Sequence, residues 1–118
     1  MKEIEKSLKV VVVAPFNTPD IELKKKRVHT IGVYCGELFK QGIVPVSALL
    51  LGLAIAEHSE LPTDTPTWIK FNKGQIRSCD EMHVLQLEGY LDSIGVQTEI
   101  AEAMELGIKI VYVPYELK

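Results

Sequence analysis

Three residues near the C-terminal third of the chain combine the chemistry of an anion site with a carboxylate. Ser93, Gly95 and Glu99 lie in a stretch that precedes a run of helix-forming residues ending at Gly107. A serine and a glycine ahead of a helix can present a hydroxyl and free backbone N–H groups, and the helix N-terminus adds positive potential. The stretch therefore predicts an anion-binding loop built around Ser93 and Gly95.

Helical periodicity turns Glu99 toward the packed side of the predicted helix. At about 100° per residue, Glu99 falls in one arc with Ile100 and Ala103. Glu102 and Glu105 are expected to point away from that arc. A carboxylate on the packed side costs free energy unless it is hydrogen-bonded or faces a cavity. Two interpretations follow: a first-turn glutamate favoured by the helix dipole, and a functional carboxylate.

Four apolar runs predict the strands that position this helix. Leu8 to Ala14 contains consecutive valines without alternation, which is typical of a central parallel strand buried on both faces. Pro15 ends this run, and a loop follows. Shorter runs predict three further strands, at Ile43 to Val46, Met82 to Leu87 and Ile108 to Val113.

Helical patterns connect these strands. Asp20 is predicted to cap a long helix that ends near Gln41, and Ser47 precedes an almost entirely apolar helix. The segment Thr67 to Ser78 shows a weaker helical pattern, and the prolines of residues 61–67 predict a loop. The order β-α-β-α-α-β-α-β predicts an α/β fold: a single-domain, Rossmann-like, doubly wound sheet of four to five mainly parallel strands flanked by helices.

Composition is that of one globular domain spanning residues 1–118. Hydrophobic residues make up 47% and charged residues 25%, which excludes disordered and fibrous classes. A net charge of −3 argues against a nucleic-acid partner. The basic run Lys24 to Arg27 is expected to be a solvated helix face. Cys35 and Cys79 are far apart and are predicted to be reduced packing residues.

Several common classes of site and location are not supported by the sequence. No dinucleotide or Walker-type phosphate loop and no zinc-ligand cluster occurs, so we expect neither a cofactor nor a metal. The first seven residues are too charged for a signal peptide, and the run Ile43 to Ala56 is too short to span a bilayer. We expect a cytoplasmic protein with no membrane association. The apolar segment Leu49–Ala56 predicts burial or self-association as a homodimer or larger homo-oligomer.

The loop and helix motifs resemble those of the nucleoside 2′-deoxyribosyltransferase superfamily. The chain is most similar to the branch of 2′-deoxynucleoside 5′-phosphate N-hydrolases and to small phage and bacterial proteins of that superfamily. The likeness covers most of the chain loosely, from the first strand with its Ala14-Pro15-Phe16 turn to the last strand. It is most specific in four motifs: Asp80 ahead of a strand, Gly89-Tyr90, Ser93-x-Gly95-Val96-x-x-Glu99 and Ala103-x-x-x-Gly107.

The resemblance implies a role for each candidate residue. In that superfamily the motif glutamate attacks C1′ of the sugar and displaces the base, which implies that Glu99 is the nucleophile, kept ionised by the helix N-terminus. Transferases generally carry Asp where Ser93 stands, whereas hydrolases of monophosphates carry Ser. Ser93 and Gly95 therefore imply a site for a 5′-phosphate. The remaining substrate contacts implied by the resemblance are Ala14, Phe16, Asn17 and Asn72.

Two departures from the superfamily pattern leave the activity open. Asn72 stands where an acid usually contacts the base, and an amide cannot donate and recover a proton. Asp64 or Glu57 could substitute if its loop folds over the site. Valines occupy the first strand, where an aromatic residue often orients the nucleophile. The alternatives are cleavage or transfer of an N-glycosidic bond in a small-molecule nucleotide or nucleoside, a non-catalytic nucleotide-binding or sensing module, and a scaffold without a ligand.

Overall fold

A computed structural model describes residues 7–62 and 65–118 of the chain. The predicted strands and helices are all present in it, with small shifts of their ends. In chain order the described elements are β1 (Lys9–Val13), α1 (Ile21–Lys40), β2 (Val44–Val46), α2 (Ala48–Ser59), α3 (Thr65–Arg77), β3 (Glu81–Leu85), a 3₁₀ turn (Tyr90–Asp92), α4 (Ile94–Leu106) and β4 (Lys109–Val113).

These strands form one parallel sheet in the order β2-β1-β3-β4. Val11 of β1 pairs with Val46 on one side and with Met82 on the other. The chain runs outward from β1 to β2, then crosses back to β3 and continues to β4. The strand order therefore reverses between β1 and β3, the position at which open α/β sheets bind ligands. This topology confirms the predicted Rossmann-like, doubly wound α/β fold.

Buried side chains pack on both faces of the sheet. The valines of β1 at positions 10–13 are at most 4% exposed, and they alternate between the two faces. Their burial on both sides explains why the strand lacks a polar alternation. One face packs against α3 and α4 through Ile76, Ile100 and Ala103. The opposite face packs against α1 through Ile31 and Leu38.

Capping residues fix the ends of the helices where the sequence predicts them. Asp20, Ser47 and Ser93 each accept a hydrogen bond from the backbone N–H three residues later, at the starts of α1, α2 and α4. Gly107 ends α4 with a φ of 70°, a left-handed conformation that glycine adopts without strain. The capped start of α4 holds the Ser93 loop at the edge of the sheet.

The environment of Glu102 corrects the prediction that this side chain points away from the packed side of α4. Glu102 is only 8% exposed and forms ion pairs with Lys73 at 3.8 Å and Arg77 at 3.6 Å, both on α3. The physical reason is that α3 packs alongside α4, so that a flank expected to face water faces a second helix. Glu105 is exposed, as predicted.

Other predictions are partly outside the described residues. α3 begins at Thr65, so the predicted loop of residues 61–67 is shorter, and residues 63–64 are not described. Cys79 is buried, Cys35 is half-buried, and both are free thiols, as predicted.

Within residues 7–62 and 65–118, no helix combines the length and the apolar character needed to cross a membrane.

Candidate functional site

A cavity opens at the carboxyl end of β1, beside the reversal in strand order. Its volume is about 130 Å³. On this measure a single water needs about 10–15 Å³, so the cavity accommodates a small organic group. Its walls come from β1 and the following loop, from α1, α2 and α3, and from the start of α4. The lining residues are Val12, Val13, Ala14, Phe16, Asn17, Ile31, Ala48, Leu49, Gly52, Leu53, Ala56, Trp68, Asn72, Ser93, Gly95, Val96 and Glu99.

The fold brings all the candidate site residues to this one cavity. They arrive from three separate segments: the loop after β1, the middle of α3, and the first two turns of α4 with its cap. The loops are neighbours because β1 and β3 are adjacent in the sheet. The candidates found on the cavity wall are Ala14, Phe16, Asn17, Asn72, Ser93, Gly95 and Glu99.

The start of α4 has the geometry expected of an anion-binding loop. The Ser93 hydroxyl oxygen accepts the Val96 N–H at 3.2 Å, and its own hydrogen can still be donated to an acceptor. The N–H groups of Ile94 and Gly95 belong to the first helical turn, where no intrahelical acceptor exists. These donors and the helix dipole favour a negatively charged group at this end of the cavity.

The cap predicts a measurable role of Ser93 in stability. Ser93→Ala removes the acceptor of the Val96 N–H, and we expect the free energy of unfolding to fall by about 1 kcal/mol. Urea denaturation measures this change. Thr98→Ala is the matched control, since Thr98 is exposed in the same helix and does not cap it. Equal losses in the two variants would contradict the capping role.

Glu99 lies partly buried in the cavity wall. Burial raises the pKa of its carboxyl group to about 7, because removal from water disfavours the carboxylate. This result corrects the expectation that the helix N-terminus keeps Glu99 ionised. The dipole effect falls off within the first turn, whereas Glu99 lies beyond that turn and is desolvated. At neutral pH the protonated and ionised forms are therefore present in comparable amounts.

Trp68 and Asn72 are separated by one turn of α3 and both line the cavity. Trp68 donates its Nε1–H to the Pro62 carbonyl oxygen at 2.7 Å, and its ring meets that of Phe71 edge to face. A Cβ built on Gly52 would lie 3.5 Å from the indole. This distance is an ordinary van der Waals contact, so α2 packs directly against α3 where the aromatic ring and the Asn72 amide form one side of the cavity.

The sequence did not predict that apolar residues of α2 and Trp68 line this cavity. Trp68 was recognised only as part of a helical pattern, and α2 only as a buried or self-associating helix. Five residues of α2 line the cavity: Ala48, Leu49, Gly52, Leu53 and Ala56. The available signal was the almost entirely apolar sequence of α2, which indicates burial without indicating what covers each side. The cavity therefore accounts for part of the apolar surface of α2.

Of the two alternative proton donors, the structure describes only Glu57, and it is not among the residues that line the cavity. Glu57 is exposed near the end of α2, and Asp64 lies outside the described residues. Asn72 is therefore the polar side chain that α3 contributes to the cavity. In the described part of the chain, no three His, Cys, Asp or Glu side chains are grouped so that they could hold a metal ion.

Comparison with known families gives a match that spans residues 9–115 and carries the description domain of unknown function, DUF1937. A comparison with curated proteins finds no match. The matched range runs from the start of β1 to beyond the end of β4, and it includes every residue that lines the cavity. On this match the chain belongs to the DUF1937 family.

Proposed function

We propose that this protein binds a nucleotide or nucleoside in the cavity and cleaves or transfers its N-glycosidic bond through Glu99. The observation that carries the proposal is the convergence of three chemically distinct groups on one cavity. The start of α4 offers donors for a phosphate, Glu99 offers a carboxylate for the sugar carbon, and Asn72 with Trp68 offers an amide and a ring for the base. DUF1937 membership by itself carries no activity, so the proposal rests on these residues and on the resemblance of their motif.

The proposed reaction uses the ionised form of Glu99. A carboxylate oxygen attacks C1′ of the sugar, a C1′–O bond forms, and the C1′–N bond breaks with its electron pair leaving on the base nitrogen. That nitrogen then takes up a proton. The transition state resembles an oxocarbenium ion, which a nearby carboxylate stabilises. Water, or a second base in a transfer reaction, attacks C1′ and releases Glu99. Neither a metal nor a cofactor takes part.

The start of α4 supports a phosphate-bearing substrate over a free nucleoside. The Ser93 hydroxyl and the first-turn N–H groups are neutral donors, and the helix dipole adds positive potential. A carboxylate in place of Ser93 would repel a phosphate, whereas these groups attract one. A nucleoside 5′-monophosphate is therefore the preferred substrate in this proposal.

A non-catalytic nucleotide-binding module of the same fold is the second candidate. Two observations favour it. Asn72 cannot protonate the leaving base, and the raised pKa of Glu99 leaves part of the population without a charged nucleophile at neutral pH. Both features are compatible with a cavity that binds a nucleotide as a sensor without breaking it.

Base release from a panel of substrates separates the two candidates. The protein is incubated with nucleosides and nucleoside 5′-monophosphates, free base is separated by chromatography, and thermal stabilisation is recorded in parallel. Release of base from one class of substrate supports the enzyme. Stabilisation without release supports the binding module, and the absence of both effects contradicts the two candidates together.

Restoring an acid at position 72 is predicted to speed base release. Asn72→Asp places a carboxyl group that can protonate the leaving base, and we expect the initial rate to rise on the order of 10²-fold, the lower end for general acid catalysis. Asn17→Asp is the control, since it adds the same charge to the cavity at the loop after β1. A slower Asn72→Asp variant, or an equal gain in the control, would contradict this role.

Self-association stays a prediction for the remaining apolar surface of α2. Leu51 is 47% exposed, and it is not among the residues that line the cavity. We propose that the outward side of the segment Leu49–Ala56 contributes to a homodimer or larger homo-oligomer, because an exposed apolar helix face gains free energy from burial.

A further inference from the structure

Arg27 of α1 corrects the expectation that the basic run of this helix is solvated. The side chain is only 8% exposed. Its Nη1 donates to the carbonyl oxygens of Phe16 and Asn17, each at 3.3 Å, and its Nη2 donates to the carbonyl oxygen of Glu88 at 3.3 Å. These three hydrogen bonds replace the water that a guanidinium would otherwise bind, which offsets the cost of burying the charge.

The three carbonyl groups belong to two different loops of the site. Phe16 and Asn17 lie in the loop after β1, and both line the cavity. Glu88 lies in the loop after β3, which leads through the 3₁₀ turn to Ser93. Arg27 therefore connects the segment proposed to face the base with the segment proposed to hold the phosphate.

Gly89, next to Glu88, lies directly against the Arg27 guanidinium. Gly89 has a φ of 91°, and a Cβ built there would lie 3.4 Å from Nη2 of Arg27. A side chain at position 89 would therefore strain the backbone, and its Cβ would contact the guanidinium. The planar fork of an arginine can reach two loops at once, whereas the single ammonium of a lysine cannot reproduce this geometry.

We propose that Arg27 is a positioning residue, which fixes the spacing between the loop of residues 14–19 and the loop of residues 87–93 so that one nucleotide can contact both. This inference rests on the proposed function for its catalytic consequence. The connection between the loops is a property of the fold and can be tested by itself. Arg27 acts through the backbone of Phe16, Asn17 and Glu88 and does not touch the reacting atoms.

The kinetic test compares Arg27→Lys and Arg27→Met with Lys26→Met. Lys26 is the neighbouring residue of α1, and its side chain is exposed, so this control removes a nearby charge without touching the loops. We expect kcat/KM for base release from a 5′-monophosphate to fall about 10²-fold in both Arg27 variants, as for a small misplacement of binding groups. Arg27→Lys keeps the positive charge but loses the hydrogen-bond geometry of the guanidinium. We therefore expect its rate to be as low as that of Arg27→Met. Wild-type kcat/KM in Arg27→Lys would overturn the proposal.

Hydrogen exchange separates this inference from the proposed function. In Arg27→Lys the backbone amides of the non-proline residues in 14–19 and of residues 87–93 are expected to exchange at least several-fold faster, while those of β1 and β3 keep their protection. Lys26→Met should match the wild type. Faster exchange confined to the two loops supports the inference even if the wild type releases no base, in which case only the proposed function fails. Unchanged exchange of the loops in Arg27→Lys overturns the inference, whatever the activity.

Discussion

Glu99→Gln is expected to lower kcat/KM for base release by about 10³-fold or more while leaving nucleotide binding in place. The amide has nearly the shape of the carboxyl group but cannot attack C1′, so only the proposed covalent step is removed. Because the pKa of Glu99 is raised to about 7, much of the native population already carries an uncharged side chain there. The variant should therefore fold normally, and the loss can be assigned to chemistry.

The matched control is Glu105→Gln. Glu105 belongs to the same helix, is exposed, and lies away from the cavity. Chromatography measures free base, and thermal stabilisation by the same nucleotide measures binding. A Glu99→Gln variant that keeps the wild-type rate would show that another group breaks the bond. Loss of stabilisation together with loss of the rate would assign Glu99 to binding and not to the covalent step.

Much of the fold was predictable from local patterns. The unbroken valines of β1 indicated a strand buried on both faces, and Asp20 and Ser47 marked the starts of helices, because these signals act over a few residues. The position of the cavity followed from the order of elements, since ligands bind where the strand order reverses. The seven candidate residues met there because each lay at a strand end, at a helix start or on the helix facing that edge.

The errors have a common cause in contacts between distant elements. Glu102 was expected to be solvated, but its partners Lys73 and Arg77 belong to a helix whose packing could not be read from α4 alone. Arg27 was expected to be solvated with its lysine neighbours, yet it reaches two loops that are distant in sequence. The pKa of Glu99 depends on its burial in the cavity wall. Burial raises this pKa by more than the helix dipole lowers it.

The cavity also explains why the apolar sequence of α2 did not indicate which of its sides is buried and which is exposed. The sequence of α2 indicates burial but not what covers each side, because core, cavity wall and subunit interface all favour the same residues. The structure assigns one side to the cavity through Leu49 and Leu53, and it packs Leu50 against the core beneath α1. The side that carries Leu51 is exposed, and it is the side proposed above to contact a second copy of the chain.

Glu99 is also expected to make the stability of the fold depend on pH. Burial raises the pKa of this carboxyl group in the folded protein to about 7, against 4.5 for an unperturbed glutamate. Between these values the folded state binds more protons than the unfolded state, so the free energy of unfolding falls as the pH rises through this window. The contribution is complete below about pH 4.5 and is lost above about pH 7. The full difference is about 3 kcal/mol.

Glu99→Gln removes this dependence, because an amide does not ionise. We expect the variant to match the wild type at pH 4 and to exceed its free energy of unfolding by up to about 3 kcal/mol at pH 8, as measured by urea denaturation. Glu105→Gln should show neither the gain nor its pH dependence. A variant less stable than the wild type at pH 8 would mean that the carboxylate stabilises the fold, as a first-turn glutamate does through the helix dipole. A more stable variant that releases no base would mean that the chain keeps a charged group in the cavity wall at a cost in stability, which is expected when the group serves function.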